Sequence, residues 1–327
     1  MDLPINIDLI QDAAHRLDGL AVKTPLLESW QINDALGMRC LFKAECLQRT
    51  GSFKFRGAYT KLSRFAEDAR KNGVVAYSSG NHAQGVAAAA GLLGAKATII
   101  MPSDAPQIKI DNTRGYGAQI VLYERNSEDR AEIAHRLVEE SGSVLVPPFD
   151  DIDVISGQGT IGLEIAQQTA QMGIEVDAIF CPVGGGGLLS GLALGLAATL
   201  PDARIWCGEP QGYDDVIRSI VSDKREMADV TVRTICDSIV TPQPGIITVE
   251  IIRRLVAGGF AVSDREVKDA MIQLFERMKL VVEPGGSVGF AAATQQRAQF
   301  AGKTIVVVLS GGNVDRDLFG RILLQSG

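Results

Sequence analysis

Lys54 stands between two aromatic rings in Thr50-Gly51-Ser52-Phe53-Lys54-Phe55-Arg56-Gly57-Ala58, a glycine-bounded turn that leads into a helical pattern. Phe53 and Phe55 can strip water from the amine, which disfavours the ammonium and leaves a nucleophile able to form an imine. The same stretch also reads as an ordinary surface lysine at a helix start. Lys54 alone does not decide between the two.

Three strand ends carry further chemistry. Ile179-Phe180-Cys181-Pro182 is a short apolar run followed by Gly184-Gly185-Gly186-Gly187-Leu188 and a helix rich in Ala, Leu and Gly. Consecutive glycines let backbone N–H groups turn onto a phosphate, and a helix N-terminus adds a favourable dipole. The spacing fits neither the first-third-sixth glycine pattern of a dinucleotide site nor a P-loop, which needs a Gly-Lys-Ser/Thr ending. Tight packing of strand on helix is the alternative. Ser78-Ser79-Gly80-Asn81-His82 likewise follows a strand and opens a helix. Its hydroxyls, amide and free N–H groups suit a carboxylate, or else Ser79 or Asn81 simply caps the helix. Leu309-Ser310-Gly311-Gly312-Asn313 is the third strand end. Ligands of parallel sheets gather at such C-terminal ends.

The frame that must position these residues is an α/β fold. Short apolar runs at Val74–Ser78, Ala97–Met101, Gln119–Tyr123 and Val144–Val146 alternate with helical segments, and Ala178–Pro182, Ile205–Cys207 and Thr304–Leu309 form a second series. Runs this short, apolar on both faces and joined by helices, are buried strands of parallel sheets. Two sheets are expected. Pro147-Pro148, followed by acidic residues, marks the boundary, so residues 71–149 form a small lobe inserted into a large one built from 1–70 and 150–327. Thr24-Pro25-Leu26-Leu27 reads as a turn. Ile7–Leu17 is an amphipathic helix, and Ser263-Asp264-Arg265-Glu266 a capping box opening a helix through Met278.

With 327 residues, 46% hydrophobic and 22% charged, the chain is long enough for two lobes with their own cores, and its net charge of −7 argues against a nucleic-acid partner. A small molecule is the expected partner. No apolar run is long enough to span a bilayer, and the start lacks a signal peptide, so a cytoplasmic protein without a membrane partner is expected. The five scattered cysteines include no CxxC pair, against both a disulfide framework and structural zinc.

The run from Lys43 to Ala58, Ser78-Ser79-Gly80-Asn81-His82, the four-glycine loop and Leu309-Ser310-Gly311-Gly312-Asn313 together resemble the fold type II pyridoxal phosphate enzymes, and within them the threonine/serine dehydratase and serine racemase group. The likeness covers nearly the whole chain. It implies a two-lobed, tryptophan synthase beta-like fold with a mainly parallel sheet in each lobe, and a homodimer. It also implies pyridoxal 5'-phosphate held by Lys54 as a Schiff base, with Lys54 then serving as the base at the substrate Cα. Phe53 would lie against the ring, Gly184, Gly185, Gly186, Gly187 and Leu188 would hold the phosphate, Asn81 the ring hydroxyl, and Ser310 would face the pyridine nitrogen. A serine there makes the ring a weaker electron sink than an aspartate would, which suits elimination. Glu283 matches a glutamate close to the cofactor.

By the same resemblance Ser78, Ser79, Asn81 and His82 grip the substrate carboxylate, and Ser79 is the second acid-base group in the racemases. Glu209, the Tyr213 carbonyl and Asp215 match a divalent-cation site suited to magnesium, calcium or manganese, although a solvated acidic loop reads the same way. The expected activity is a threonine/serine ammonia-lyase that converts a small β-hydroxy amino acid to a 2-keto acid and ammonia. With the chain ending at Gly327, no C-terminal regulatory domain is expected. A serine racemase and a hydroxyaspartate dehydratase remain open, the latter needing a cation for the distal carboxylate, for which Arg130 and Arg49 are the candidates. A dinucleotide-dependent oxidoreductase or a ligand sensor is the reading from another class.

Overall fold

The computed structural model describes residues 5–105, 107–124 and 127–324. Most of the chain start read above for a signal peptide, and Gly327, lie outside them. The chain begins with α1 (Ile7–Leu17), β1 (Leu26–Glu28), α2 (Trp30–Leu36), β2 (Arg39–Ala44), α3 (Lys54–Arg64) and α4 (Ala66–Asn72). A βα series follows: β3 (Val74–Tyr77), α5 (Asn81–Leu92), β4 (Ala97–Pro102), α6 (Gln107–Gly115), β5 (Gln119–Tyr123), α7 (Arg130–Ser141) and β6 (Val144–Leu145). The long α8 (Ile152–Met172) leads into β7 (Ala178–Pro182), α9 (Gly187–Ala197), β8 (Arg204–Pro210) and α10 (Asp215–Ser222). Last come α11 (Ile246–Leu255), β9 (Gly258–Val262), α12 (Asp264–Met278), α13 (Pro284–Gln295), β10 (Thr304–Leu309) and α14 (Arg316–Leu324).

These strands form a six-stranded sheet, ordered β1-β2-β10-β7-β8-β9, and a four-stranded sheet, ordered β5-β4-β3-β6. All pairings are parallel except β1 with β2. The central strand β10 shows why: Ile305 through Leu309 are all fully buried, so both faces must be covered by helices. One face packs on α12, α13 and α14, and the other on α8, α9 and α11. The small sheet buries Val74, Ala76 and Ile99 against α5, and its core also takes in Phe55, Ala58 and Leu62 of α3. Thus the helix that begins at Lys54 serves both sheets.

Two departures from the sequence expectation have physical causes. The Thr24–Leu27 turn continues into β1, a three-residue edge strand too short for alternation to register. Strand β9 begins Gly258-Gly259, which has no side chains to carry a strand pattern, and a Cβ on Gly259 would lie 2.3 Å from Cys207 Sγ on β8. The capping box at Ser263 and Glu266 forms as read, with reciprocal hydrogen bonds opening α12.

Three helices around the lysine turn are locked by close approach. A Cβ on Gly157 of α8 would sit 2.7 Å from Arg56 O of α3, and one on Gly191 of α9 would sit 2.3 Å from Ile155 O of α8. Side chains there would force the helices apart. Beneath the α3 start, the buried Arg56 guanidinium donates to both Glu45 oxygens at 2.8 Å, and to Glu164 at 2.6 and 3.0 Å. Lys43 joins the same cluster through Glu164 and Thr24 O. Position and orientation of α3 are thereby fixed.

Candidate active site

Lys54 is the first residue of α3, and Phe53 N–H donates to Ser310 O at 3.1 Å, tying the lysine turn to the end of β10. Its amine donates to Pro148 O at 2.6 Å and lies 5.3 Å from the Phe53 ring centroid. Burial lowers the pKa to about 8, with the Glu283 charge drawing it part of the way back. Lys54 is therefore the desolvated amine of the first reading and not a surface lysine. The proline pair read as the boundary between the lobes supplies its carbonyl partner.

Except for Arg49, the residues read as holding cofactor or substrate all line one cavity of about 530 Å³: Phe53, Lys54, Ser78, Ser79, Asn81, His82, Arg130, Gly184 through Leu188, Glu283 and Ser310. Two helix starts open onto it, and neither is capped by a side chain. For α5 the N-cap is Gly80, so the capping alternative for Ser79 and Asn81 does not hold. For α9 the N-cap is Gly186, at φ 96°. Elsewhere the fold does satisfy such ends: Asp150 accepts from the N–H groups of Ile246, Ile247 and Thr248 at the start of α11. Leaving α5 and α9 open leaves two anion-binding ends in one cavity.

The glycine loop is crowded as well as open. A Cβ on Gly185 would lie 2.3 Å from the Phe149 ring, and one on Gly184 would lie 2.7 Å from Ile239 O. Phe149 and the 239–245 segment thus hold the loop from both sides, with Gly245 N–H and Thr248 Oγ1 donating to Gly185 O. This is a cradle that only glycine can form. It fits the phosphate of the expected cofactor, and a buried amine faces the same cavity.

The structure alters the roles of two residues in the Ser78–His82 segment. Ser78 Oγ accepts from Gly80 N–H at 3.2 Å, bracing the loop. His82 is buried, with its Nε2 2.8 Å from Val146 O and its Nδ1 unpartnered, and burial together with the Lys54 charge drops its pKa to about 3. Its neutral ring is turned to a carbonyl and offers a carboxylate no charge. Asn313, which the sequence names within the strand-end motif without a role, donates to Asn81 Oδ1 at 2.8 Å and to Thr50 O at 2.8 Å.

Glu209, Tyr213 and Asp215 lie outside that cavity, at the end of β8. Glu209 accepts from Val216 and Ile217 N–H at 3.1 and 2.7 Å, capping α10. Burial and then the neighbouring Asp215 charge push its pKa well up, and burial lifts Asp215 to about 6. Asp215 Oδ2 is buried without a partner. A hard cation would neutralise both carboxylates, so the donor set fits one, although among the described residues no three His, Cys, Asp or Glu side chains gather as ligands.

Of the two arginines named for a distal carboxylate, Arg130 lines the cavity with its guanidinium 5.5 Å from the Tyr77 ring centroid. Arg49 does not line it: its Nε donates to Leu20 O and its guanidinium lies over Phe55. Lys109, which sequence reading did not single out, lines the cavity instead. The five cysteines are free and buried, with Cys40, Cys46 and Cys236 pushed up to about 12 by burial.

Residues 17–311, from the end of α1 to the glycines after β10, match the family described as pyridoxal-phosphate dependent enzyme. The chain belongs to that family. It is 45% identical to L-threo-3-hydroxyaspartate ammonia-lyase of Pseudomonas sp, covering 99% of each chain, and 43% identical to the protein of that name from Saccharomyces cerevisiae, covering 96% of this chain and 95% of the relative. Serine racemase of Schizosaccharomyces pombe is 39% identical, with 97% of each covered. The structure of a T.th. threonine deaminase superposes with a TM-score of 0.90 at 42% identity, covering 95% of this chain and 99% of that one. The fold is therefore that of the fold type II pyridoxal phosphate enzymes, as the motifs imply, and the protein is a pyridoxal phosphate-dependent enzyme. Among the described residues no helix is long and apolar enough to cross a membrane.

Proposed function

We propose that this enzyme is an ammonia-lyase for a small β-hydroxy amino acid, with Lys54 both carrying the cofactor and moving the proton at the substrate Cα. The observation that carries the proposal is a buried amine, with its pKa lowered to about 8, facing the same cavity as two uncapped helix starts. Relatives named as ammonia-lyases for L-threo-3-hydroxyaspartate and L-threonine support it.

The cofactor, when bound, supplies an electron sink for the charge that develops at Cα. The protein does the rest. Gly184 through Leu188 and the α9 start would hold the phosphate, Asn81 the ring hydroxyl and Ser310 the ring nitrogen, and Phe53 and Glu283 would line the ring's surroundings. The α5 start, with Ser79 and the braced Ser78 loop, holds the substrate carboxylate. Lys54 Nζ accepts the Cα proton, and the Cβ hydroxyl leaves as water once protonated. The released enamine takes up water to give a 2-keto acid and ammonia. Mixing the holoenzyme with L-serine, L-threonine and L-threo-3-hydroxyaspartate tests this: keto acid and ammonia should form in equal amounts from at least one. Failure on all three rejects the lyase assignment.

Serine racemisation is the second activity to test, favoured by Ser79, which lines the cavity and whose hydroxyl has no protein partner among the described residues. We further propose that Glu209, the Tyr213 carbonyl and Asp215 bind magnesium, calcium or manganese, supported by the unpartnered Asp215 oxygen. Residues 71–149 are proposed as a mobile lobe that closes over the substrate. A cytoplasmic homodimer is the setting that the family resemblance suggests.

A further inference from the structure

Lys109 on α6 and Asp237, in the segment between α10 and α11, form an ion pair 2.5 Å long that joins the two lobes, and both residues line the catalytic cavity. Its two ends differ. The Lys109 side chain is 14% exposed and the Asp237 side chain 58%, so the ammonium is held within the protein while the carboxylate already stands largely in water. Asp237 can therefore leave the pair at little solvation cost, whereas Lys109 left without a partner would be a half-buried charge.

Other charges around the cavity are committed or of the same sign. Asp150 is taken up by the α11 start and Glu283 accepts from Asn81, which leaves Asp237 as the acid paired with a cavity cation. Arg130 lines the cavity from the same lobe as Lys109 and lies over Tyr77, with no carboxylate partner among the described residues. The substrate's own carboxylate is provided for at the α5 start, whose open N–H groups need no lysine. Two side-chain cations thus exceed what a monocarboxylate substrate requires.

We infer that Lys109 binds the second carboxylate of a β-hydroxy amino dicarboxylic acid, and that Asp237 is the carboxylate this group displaces. The inference rests on the lyase assignment above and names its substrate class. Asp237 acts as an internal competitor: a dicarboxylate exchanges one partner of Lys109 for another and releases Asp237 to solvent, while a monocarboxylate leaves the pair intact. Neutralising Asp237 removes both the competitor and its repulsion of the incoming carboxylate. Neutralising Lys109 removes the site.

The test uses the holoenzyme of the wild type, Asp237→Asn, Lys109→Met and Lys109→Arg. The ratio of kcat/KM for L-threo-3-hydroxyaspartate to that for L-threonine should rise about tenfold in Asp237→Asn and fall about tenfold in Lys109→Met, mainly through KM. Lys109→Arg, which keeps the charge, should retain most of the ratio. A ratio unchanged in both neutralising variants, with the two substrates losing activity together, would mean that the pair only latches the lobes. Succinate supplies an arm independent of turnover: its dissociation constant, read from the cofactor absorbance, should fall in Asp237→Asn and rise in Lys109→Met. Succinate affinity that is the same in all forms overturns the inference. An enzyme that turns over neither amino acid, nor L-serine, but binds succinate in the predicted order overturns the lyase assignment alone.

Discussion

Asn81 at the start of α5 donates its Nδ2 to Glu283 Oε1 at 2.5 Å, a hydrogen bond that joins residues 202 apart and ties the start of α5 to the start of α13. Asn313 donates to the Asn81 oxygen from the other side, so the amide can adopt only one orientation. One Nδ2 hydrogen remains for a ligand. Burial, reinforced by the Asp237 charge, raises Glu283 to about 7 while the Asn81 hydrogen bond opposes the rise.

Removing Glu283 should therefore weaken cofactor binding through Asn81. Glu283→Ala should raise the cofactor dissociation constant about tenfold, the effect of one charge-assisted hydrogen bond. Glu283→Gln, which keeps an acceptor, should lose less. Titration of the apoenzyme with pyridoxal phosphate measures both, and equal affinities in the two variants would separate Asn81 orientation from binding.

Lys54 makes a prediction in pH. With its pKa near 8, the amine is protonated and non-nucleophilic below that value and free above it. The rate at which apoenzyme regains its visible cofactor band should rise with pH through about 8 and then level off. A rise centred near 10.5, the ordinary lysine value, would place the amine in water. Lys54→Ala should fold and yet bind no cofactor that borohydride can fix.

The charge cluster beneath α3 predicts a stability effect. Arg56 and Glu45 side chains are 1% and 0% exposed, so deleting Glu45 leaves the buried Arg56 guanidinium with Glu164 as its one carboxylate partner among the described residues. Burial alone would raise the Glu45 pKa, but the Arg56 charge and hydrogen bonds outweigh it and leave the carboxyl lowered. Glu45→Ala should cost about 3–5 kcal/mol in urea unfolding. A cost below about 1 kcal/mol would mean that water enters to solvate Arg56.

Much of this was legible because the chemistry sits where local patterns are strongest. The all-apolar run of β10, the glycines after β7 and the flanked Lys54 each carry their message in consecutive residues. What the sequence concealed depends on residues far apart. Asn313 reads as the end of a glycine turn until it meets Asn81, and Lys109 as one more lysine on an exposed helix until Asp237 stands 2.5 Å away. Roles were also harder to read than positions. His82 falls in the cavity as expected, yet its ring bonds Val146 O, because a buried imidazole takes the nearest carbonyl.

The acidic loop after β8 predicts a cation effect with a defined sign. Without a cation, Glu209 and Asp215 repel and their pKa values are raised, so protonation relieves the fold as pH falls. Adding magnesium, calcium or manganese to chelated protein should raise the melting temperature more at about pH 8 than at about pH 5. No shift at either pH would leave Glu209 as a helix cap only.

Ser79 stands at the entrance to α5, in the cavity that Lys54 faces, and the two activities make different demands on it. Elimination from an L-amino acid needs one base at Cα, the role proposed for Lys54. Racemisation also needs a proton delivered to the opposite face, and so does any turnover of D-serine. The Ser79 hydroxyl is the group proposed for that face. Ser79→Ala should abolish interconversion of L- and D-serine and all turnover of the D isomer, read by chiral analysis of recovered substrate. Elimination from the L isomer should fall by about tenfold or less, because the open N–H groups of α5 still hold the carboxylate and Lys54 still reaches the proton. The split between the isomers decides the matter: if L-elimination and D-turnover fall in equal proportion with cofactor still bound, Ser79 holds the substrate and moves no proton.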